Sequence, residues 1–116
     1  MHQPTPTHEE ITAAYEELGL KPTSGTWSVE RREDGQYCCP LTAVMLARGL
    51  TSLEEDYEQH ALRCYRLWGD HWVDGFIAGV DDAPRLDDLL SIHPEWRHGW
   101  ERGLLVAAWY GLPDRA

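Results

Sequence analysis

Apolar residues recur at helical spacing along most of this chain, and one stretch is apolar on every side: Leu104-Leu105-Val106-Ala107-Ala108-Trp109-Tyr110. A helix of that kind in a water-soluble protein is expected to be enclosed by other helices. The stretch ends a segment running from Pro94 to Gly111. Proline is tolerated in a first helical turn, and glycine commonly stands just past the last one. The Pro94–Tyr110 helix is therefore expected to be central, with the rest of the chain packed around it.

The remaining elements follow from the same pattern. Thr7-His8-Glu9-Glu10 has capping-box spacing and predicts a first helix from about His8 to Leu18. Its inner face carries Ile11, Ala14, Tyr15 and Leu18, and Gly19 is its left-handed stop. Lys21 to Gly25 reads as a turn-rich linker. Thr26 to Arg31 alternates like a strand, Glu33-Asp34-Gly35 signals a hairpin, and Gln36-Tyr37-Cys38 is the return strand. A lone two-stranded ribbon is marginal, so Trp27 and Tyr37 are expected to lie on the helices. Pro40 opens a second helix, closed by Gly49. Ser52-Leu53-Glu54-Glu55 is a second capping box, predicting a third helix from about Leu53 to Trp68 with Tyr57, Ala61, Cys64 and Trp68 facing inward. Gly69 breaks the chain, and Asp70 caps a fourth helix, His71 to Val80. Asp81 to Pro84 form a loop, and Leu86 to Ile92 a short helical turn. The expected fold is mainly α: a compact bundle of about five helices, one short, with a small two-stranded β-ribbon between helices 1 and 2. Residues 1–116 form a single helical domain, with 1–6 and 112–116 as frayed tails. Its core should contain Trp72, Phe76, Ile77, Trp96, Trp100, Leu104, Ala107 and Ala108.

Two of these helices echo each other. Trp72-Val73-Asp74-Gly75-Phe76-Ile77-Ala78-Gly79 and Trp96-Arg97-His98-Gly99-Trp100-Glu101-Arg102-Gly103 share the pattern W-x-x-G-x-x-x-G. Glycine costs about 1 kcal/mol against alanine inside a helix, so two such pairs need a reason. Close backbone approach, with aromatic stripes filling the flanks, supplies one. This geometry is familiar in membranes but equally available to a water-soluble crossing. The sequence leaves open whether the two helices meet each other or separate neighbours.

Composition narrows the classes of function. Twenty acidic against ten basic residues give a net charge of −10. That surface disfavours direct binding to nucleic acid or anionic membrane, which requires basic patches. It suits a basic protein surface as partner, or a mimic that displaces nucleic acid from another protein. No apolar run reaches the roughly 18 residues of a membrane span, and the N-terminus has no secretory pattern. Three cysteines, two of them adjacent, fit reduced thiols and a cytoplasmic location better than a disulfide framework.

The most suggestive chemistry is Cys38-Cys39-Pro40-Leu41-Thr42. A cysteine at a helix N-terminus meets free amides and the positive end of the dipole, which favour thiolate. Cys39 or Cys38 is thus a candidate catalytic or redox thiol, with His60, His71, His93 and His98 as candidate partners. The competing reading is that these cysteines pack as small hydrophobes. His60 and Cys64, four apart, are an incomplete zinc pair, and Glu95-Trp96-Arg97-His98 together with His71 and Asp74 is an incomplete ligand set. No metal site is favoured and no cofactor is expected. Nucleotide, hydrolase and metalloprotease motifs are missing. Glu54, Glu55, Asp56, Glu58, Asp81, Asp82, Asp87 and Asp88 form two acidic stretches, candidate binding surfaces.

The reading that follows is a small acidic cytoplasmic protein-interaction module, of adaptor or inhibitor type, acting through a helical surface. A homodimer is compatible with it. A thiol-based enzyme or redox sensor at Cys38/Cys39, and an acidic nucleic-acid-mimic inhibitor, are the alternatives. The missing motifs weigh against catalysis without deciding it.

Overall fold

Thr7 opens the first helix, α1 (His8–Leu18), by accepting from the Glu10 amide at 3.1 Å, and Gly19 closes it at φ 67°, the conformation glycine adopts without strain. These features come from a computed structural model that describes residues 2–81 and 93–112.

Beyond Gly19 the chain doubles back into a small sheet. Lys21–Pro22 forms β1, Glu30–Arg32 forms β2 and Gly35–Cys38 forms β3. The order is β1-β3-β2. The antiparallel β2–β3 pair is the expected hairpin, but the sheet has three strands and not two. The expected linker supplies the third: β1 runs parallel to β3, Lys21 opposite Tyr37 and Pro22 opposite Cys38. Pro22 has no amide to donate, and an edge strand tolerates that. The hairpin also starts later than Thr26. The Trp27 carbonyl already accepts from the Thr42 hydroxyl at 3.1 Å and lies 2.8 Å from the His60 ring, so it is not available to a ladder.

The second helix, α2 (Pro40–Ala47), is buried continuously from Pro40 to Met45. The third, α3 (Tyr57–Trp68), begins four residues after the expected start. Asp56 accepts from the Gln59 amide at 2.9 Å, and the Gln59 side chain returns to the Asp56 amide at 3.2 Å. Asp56–Gln59 is therefore the working box, and the Ser52 carbonyl faces His60. The fourth helix, α4 (Asp70–Val80), follows Gly69, and α5 spans Pro94–Tyr110 with Gly111 at φ 68°. The predicted turn over Leu86–Ile92 lies outside the described residues.

α4 and α5 meet through their glycines. A Cβ on Gly75 would strike the Trp96 carbonyl, and one on Gly99 the Trp72 carbonyl. Gly79 abuts Trp100 and Leu104, and Gly103 abuts Phe76 and Val80. Four residues along one helix move the contact about four residues along the other in the same sense, so the pair runs parallel. Each helix stacks its own aromatic pair beside the crossing, Trp72 on Phe76 at 5.3 Å and Trp96 on Trp100 at 6.4 Å.

α5 is not the enclosed centre. Its main partner is α4, and its outer face is only partly covered: Ala108 is exposed, Leu105 is 58% exposed, and Trp109, whose ring lies against His8 of α1, is 49% exposed. Among the described helices the most enclosed is α2, whose short sequence PLTAVMLA is apolar but for Thr42. Of the expected core residues, Trp72, Phe76, Trp96 and Ala107 are buried, while Ile77, Trp100 and Leu104 are half-buried. The expected N-terminal tail is tied down. Gln3 donates to the Leu67 carbonyl at 2.7 Å, the Trp68 indole donates to the Pro4 carbonyl at 3.0 Å, and Pro6 is buried. Leu112, expected in the other tail, is core.

Candidate functional site

The N-terminus of α2 forms one wall of a cleft of about 230 Å³. Pro40 fixes the first turn, and Cys39 stands in extended geometry at the cap position. The Cys39 sulfur accepts from the Thr42 amide at 3.4 Å and lies 3.1 Å from the Thr42 hydroxyl. That hydroxyl donates its single hydrogen to the Trp27 carbonyl, so the Cys39 thiol is the donor to Thr42. His60, 1% exposed, sets its two ring nitrogens against two backbone carbonyls, Trp27 at 2.8 Å and Ser52 at 3.0 Å. Cys39 and His60 are thus joined through Thr42 and the Trp27 carbonyl. Among the described residues, no hydrogen bond joins Cys39 to an imidazole directly.

The three thiols differ in access. Cys38 and Cys64 are wholly enclosed, and burial pushes both thiols well up. Cys39 is half-buried at the cleft wall. Burial also raises its pKa, opposed by the hydrogen bonds that the Thr42 and Leu41 amides donate to the sulfur. Desolvation outweighs the cap, so the neutral thiol is the resting form.

Trp27, Leu41, Tyr57, Phe76, Ile77 and Val80 give the cleft apolar walls. Asp81, the C-cap of α4, adds a carboxylate to the lining. Partial burial raises its pKa. The sequence places Asp81 in an acidic stretch but does not show that it lines a cleft. The one available signal is its position: an acid just past a helix C-terminus opposes the dipole.

The other acidic candidates are dispersed among different tasks. Glu55 pairs with Arg63 at 2.7 Å, and Asp56 caps α3. Glu54 and Glu58 are exposed. Asp82, Asp87 and Asp88 lie outside the described residues. The other candidate ligands also go separate ways. His71 stacks on His93 at 3.7 Å, Asp74 accepts from the Tyr65 hydroxyl at 2.7 Å, and Glu95 and His98 are exposed. Among the described residues, no three histidine, cysteine, aspartate or glutamate side chains gather as a metal site would require. No described helix is long and apolar enough to cross a membrane. The chain matches no protein-family model, no curated protein and no solved structure.

Proposed function

We propose that this protein is an acidic protein-interaction module that engages its partner through the outer face of α5. The observation that carries this reading is the exposure of Leu105 and Trp109 beside exposed Ala108. Side chains of this size are enriched at interface centres when they stand together on a surface. A net charge of −10 favours a partner whose surrounding rim is basic, because complementary charge speeds encounter and fixes orientation. Adaptor and inhibitor roles both fit, in a cytoplasm that keeps the thiols reduced.

The test is site-specific photo-crosslinking in the cells that make the protein. A photoreactive residue at position 105 or 109 is expected to give one discrete heavier adduct, lost on adding Trp109→Ser to the position-105 probe. The same probe at exposed Glu17 of α1 should give none. Equal crosslinking from position 17, or no discrete adduct from either α5 position, overturns the reading.

One observation favours a thiol-based reading as the second: Cys39, alone of the three cysteines, lies on the cleft wall. Rapid alkylation of native Cys39 at neutral pH supports it. Labelling only at alkaline pH, as its burial implies, removes it.

A further inference from the structure

We infer that the cleft between the Trp27 loop, α2 and α4 is a binding site for a small organic ammonium ion with an apolar body, with Asp81 as its counter-ion. Size sets the body. Drug-sized ligands occupy pockets of about 300–1,000 Å³, so a cleft of about 230 Å³ takes a single ring or a short alkyl chain. Its walls are suited to that: Leu41, Phe76, Ile77 and Val80 present hydrocarbon, with Trp27 on the opposite loop.

Charge sets the head. Asp81 brings a carboxylate to the place where α4 ends, and a helix C-terminus carries partial negative charge itself. Both fields call for a cation. Among the described residues no arginine, lysine or histidine forms an ion pair with Asp81. Tyr57, half exposed, and Trp27 line the same cleft, and aromatic faces attract ammonium groups. An anion is disfavoured on two counts. Asp81 repels it, and the Thr42 amide at the α2 N-terminus is already occupied by the Cys39 sulfur. A metal ion is disfavoured because a single carboxylate is a poor ligand set.

The test is titration of the full-length protein with three probes of one shape: benzylammonium, benzyl alcohol and benzoate. NMR shifts of the Trp27 indole and Ile77 methyl groups report binding, and protection of Cys39 from alkylation at alkaline pH provides an independent readout. Benzylammonium should bind saturably, about tenfold more tightly than benzyl alcohol, the size of one charge-assisted contact. Asp81→Asn should bring the amine and alcohol to within about threefold, and Ile77→Phe, which fills the cleft, should abolish both. Thermal melts establish that each variant is folded. If the amine gives no saturable shift up to about ten times a millimolar Kd, the inference is overturned. Equal wild-type affinity for amine and alcohol, or tighter binding of benzoate, also overturns it. None of these outcomes bears on the α5 interface, whose crosslinks stand or fall separately.

Discussion

Gly75 and Gly99 show most directly how single residues decide this fold. An exposed helical glycine replaced by alanine gains stability, up to about 1 kcal/mol. Here the added methyl would point at the carbonyl of Trp96 or Trp72. Backbone cannot rotate away as a flexible side chain can, so the helices must separate and the aromatic stripes beside them must repack. Gly75→Ala and Gly99→Ala are each expected to destabilise by about 1–3 kcal/mol, the usual range for overpacking, as read from urea midpoints. A neutral or stabilising effect at both positions would mean the helices do not meet face to face. That a reason exists for these glycines is legible in the sequence, because each is costly where it stands. Which helix each one meets is not, because spacing along one helix says nothing about its neighbour. The His60 bridge was equally hidden. Its two ring nitrogens lie against the backbone carbonyls of Trp27 and Ser52, and every residue carries such a carbonyl.

Among the elements, local signals located the helices well and ranked them poorly. Thr7, Gly19, Pro40, Gly69, Pro94 and Gly111 mark helix ends in the sequence and stand at them in the structure. The start of α3 is ambiguous in the sequence because two capping boxes lie four residues apart. Both Ser52 and Asp56 have the right side chain, and tertiary contact chose between them: the Ser52 carbonyl lies 3.0 Å from His60, while the Asp56 carboxylate is free to cap. Asp56→Ala is therefore expected to cost about 1 kcal/mol, and Ser52→Ala close to nothing. Urea denaturation of the two variants side by side tests the assignment, and a larger loss at Ser52 would refute it. The third strand leaves no mark in the sequence because Lys21–Pro22 is two residues long, too short for alternation to appear. The rank of α5 failed for a different reason. An all-apolar helix predicts burial, but an interface to another molecule would satisfy the pattern equally well. The cleft was least legible of all, since Trp27, Cys39, Tyr57 and Asp81 come from four separate segments.

Across the whole molecule, these buried acids tie stability to pH. Burial raises the thiols of Cys38, Cys39 and Cys64, and the Tyr15 hydroxyl rises with them for the same leading cause. In each case the folded protein holds its proton at a pH where the unfolded chain has released it. Their stabilising contribution is complete below the ordinary values, 9.0 for the thiols and 10.0 for the tyrosine. It is lost as pH rises from there toward the folded values, because the unfolded state then binds fewer protons. Each such group can contribute up to about 1.4 kcal/mol per pH unit to that slope. Urea midpoints of the reduced protein should hold steady from neutral pH to about pH 8.5 and then fall steeply as the free thiols ionise. A flat profile through about pH 10.5 would show that the thiols reach solvent in the native state. Asp81 obeys the same sign rule at the acid end. Its folded pKa is raised above 3.8, so its favourable contribution exists only below that value and is lost as pH rises through the folded value. At neutral pH the charged carboxylate therefore weighs against folding. Asp81→Asn should leave the neutral-pH midpoint equal or higher while impairing benzylammonium binding. That combination would separate a residue kept for a ligand from one kept for the fold: loss of stability together with loss of binding would assign Asp81 to the architecture of the α4 terminus instead.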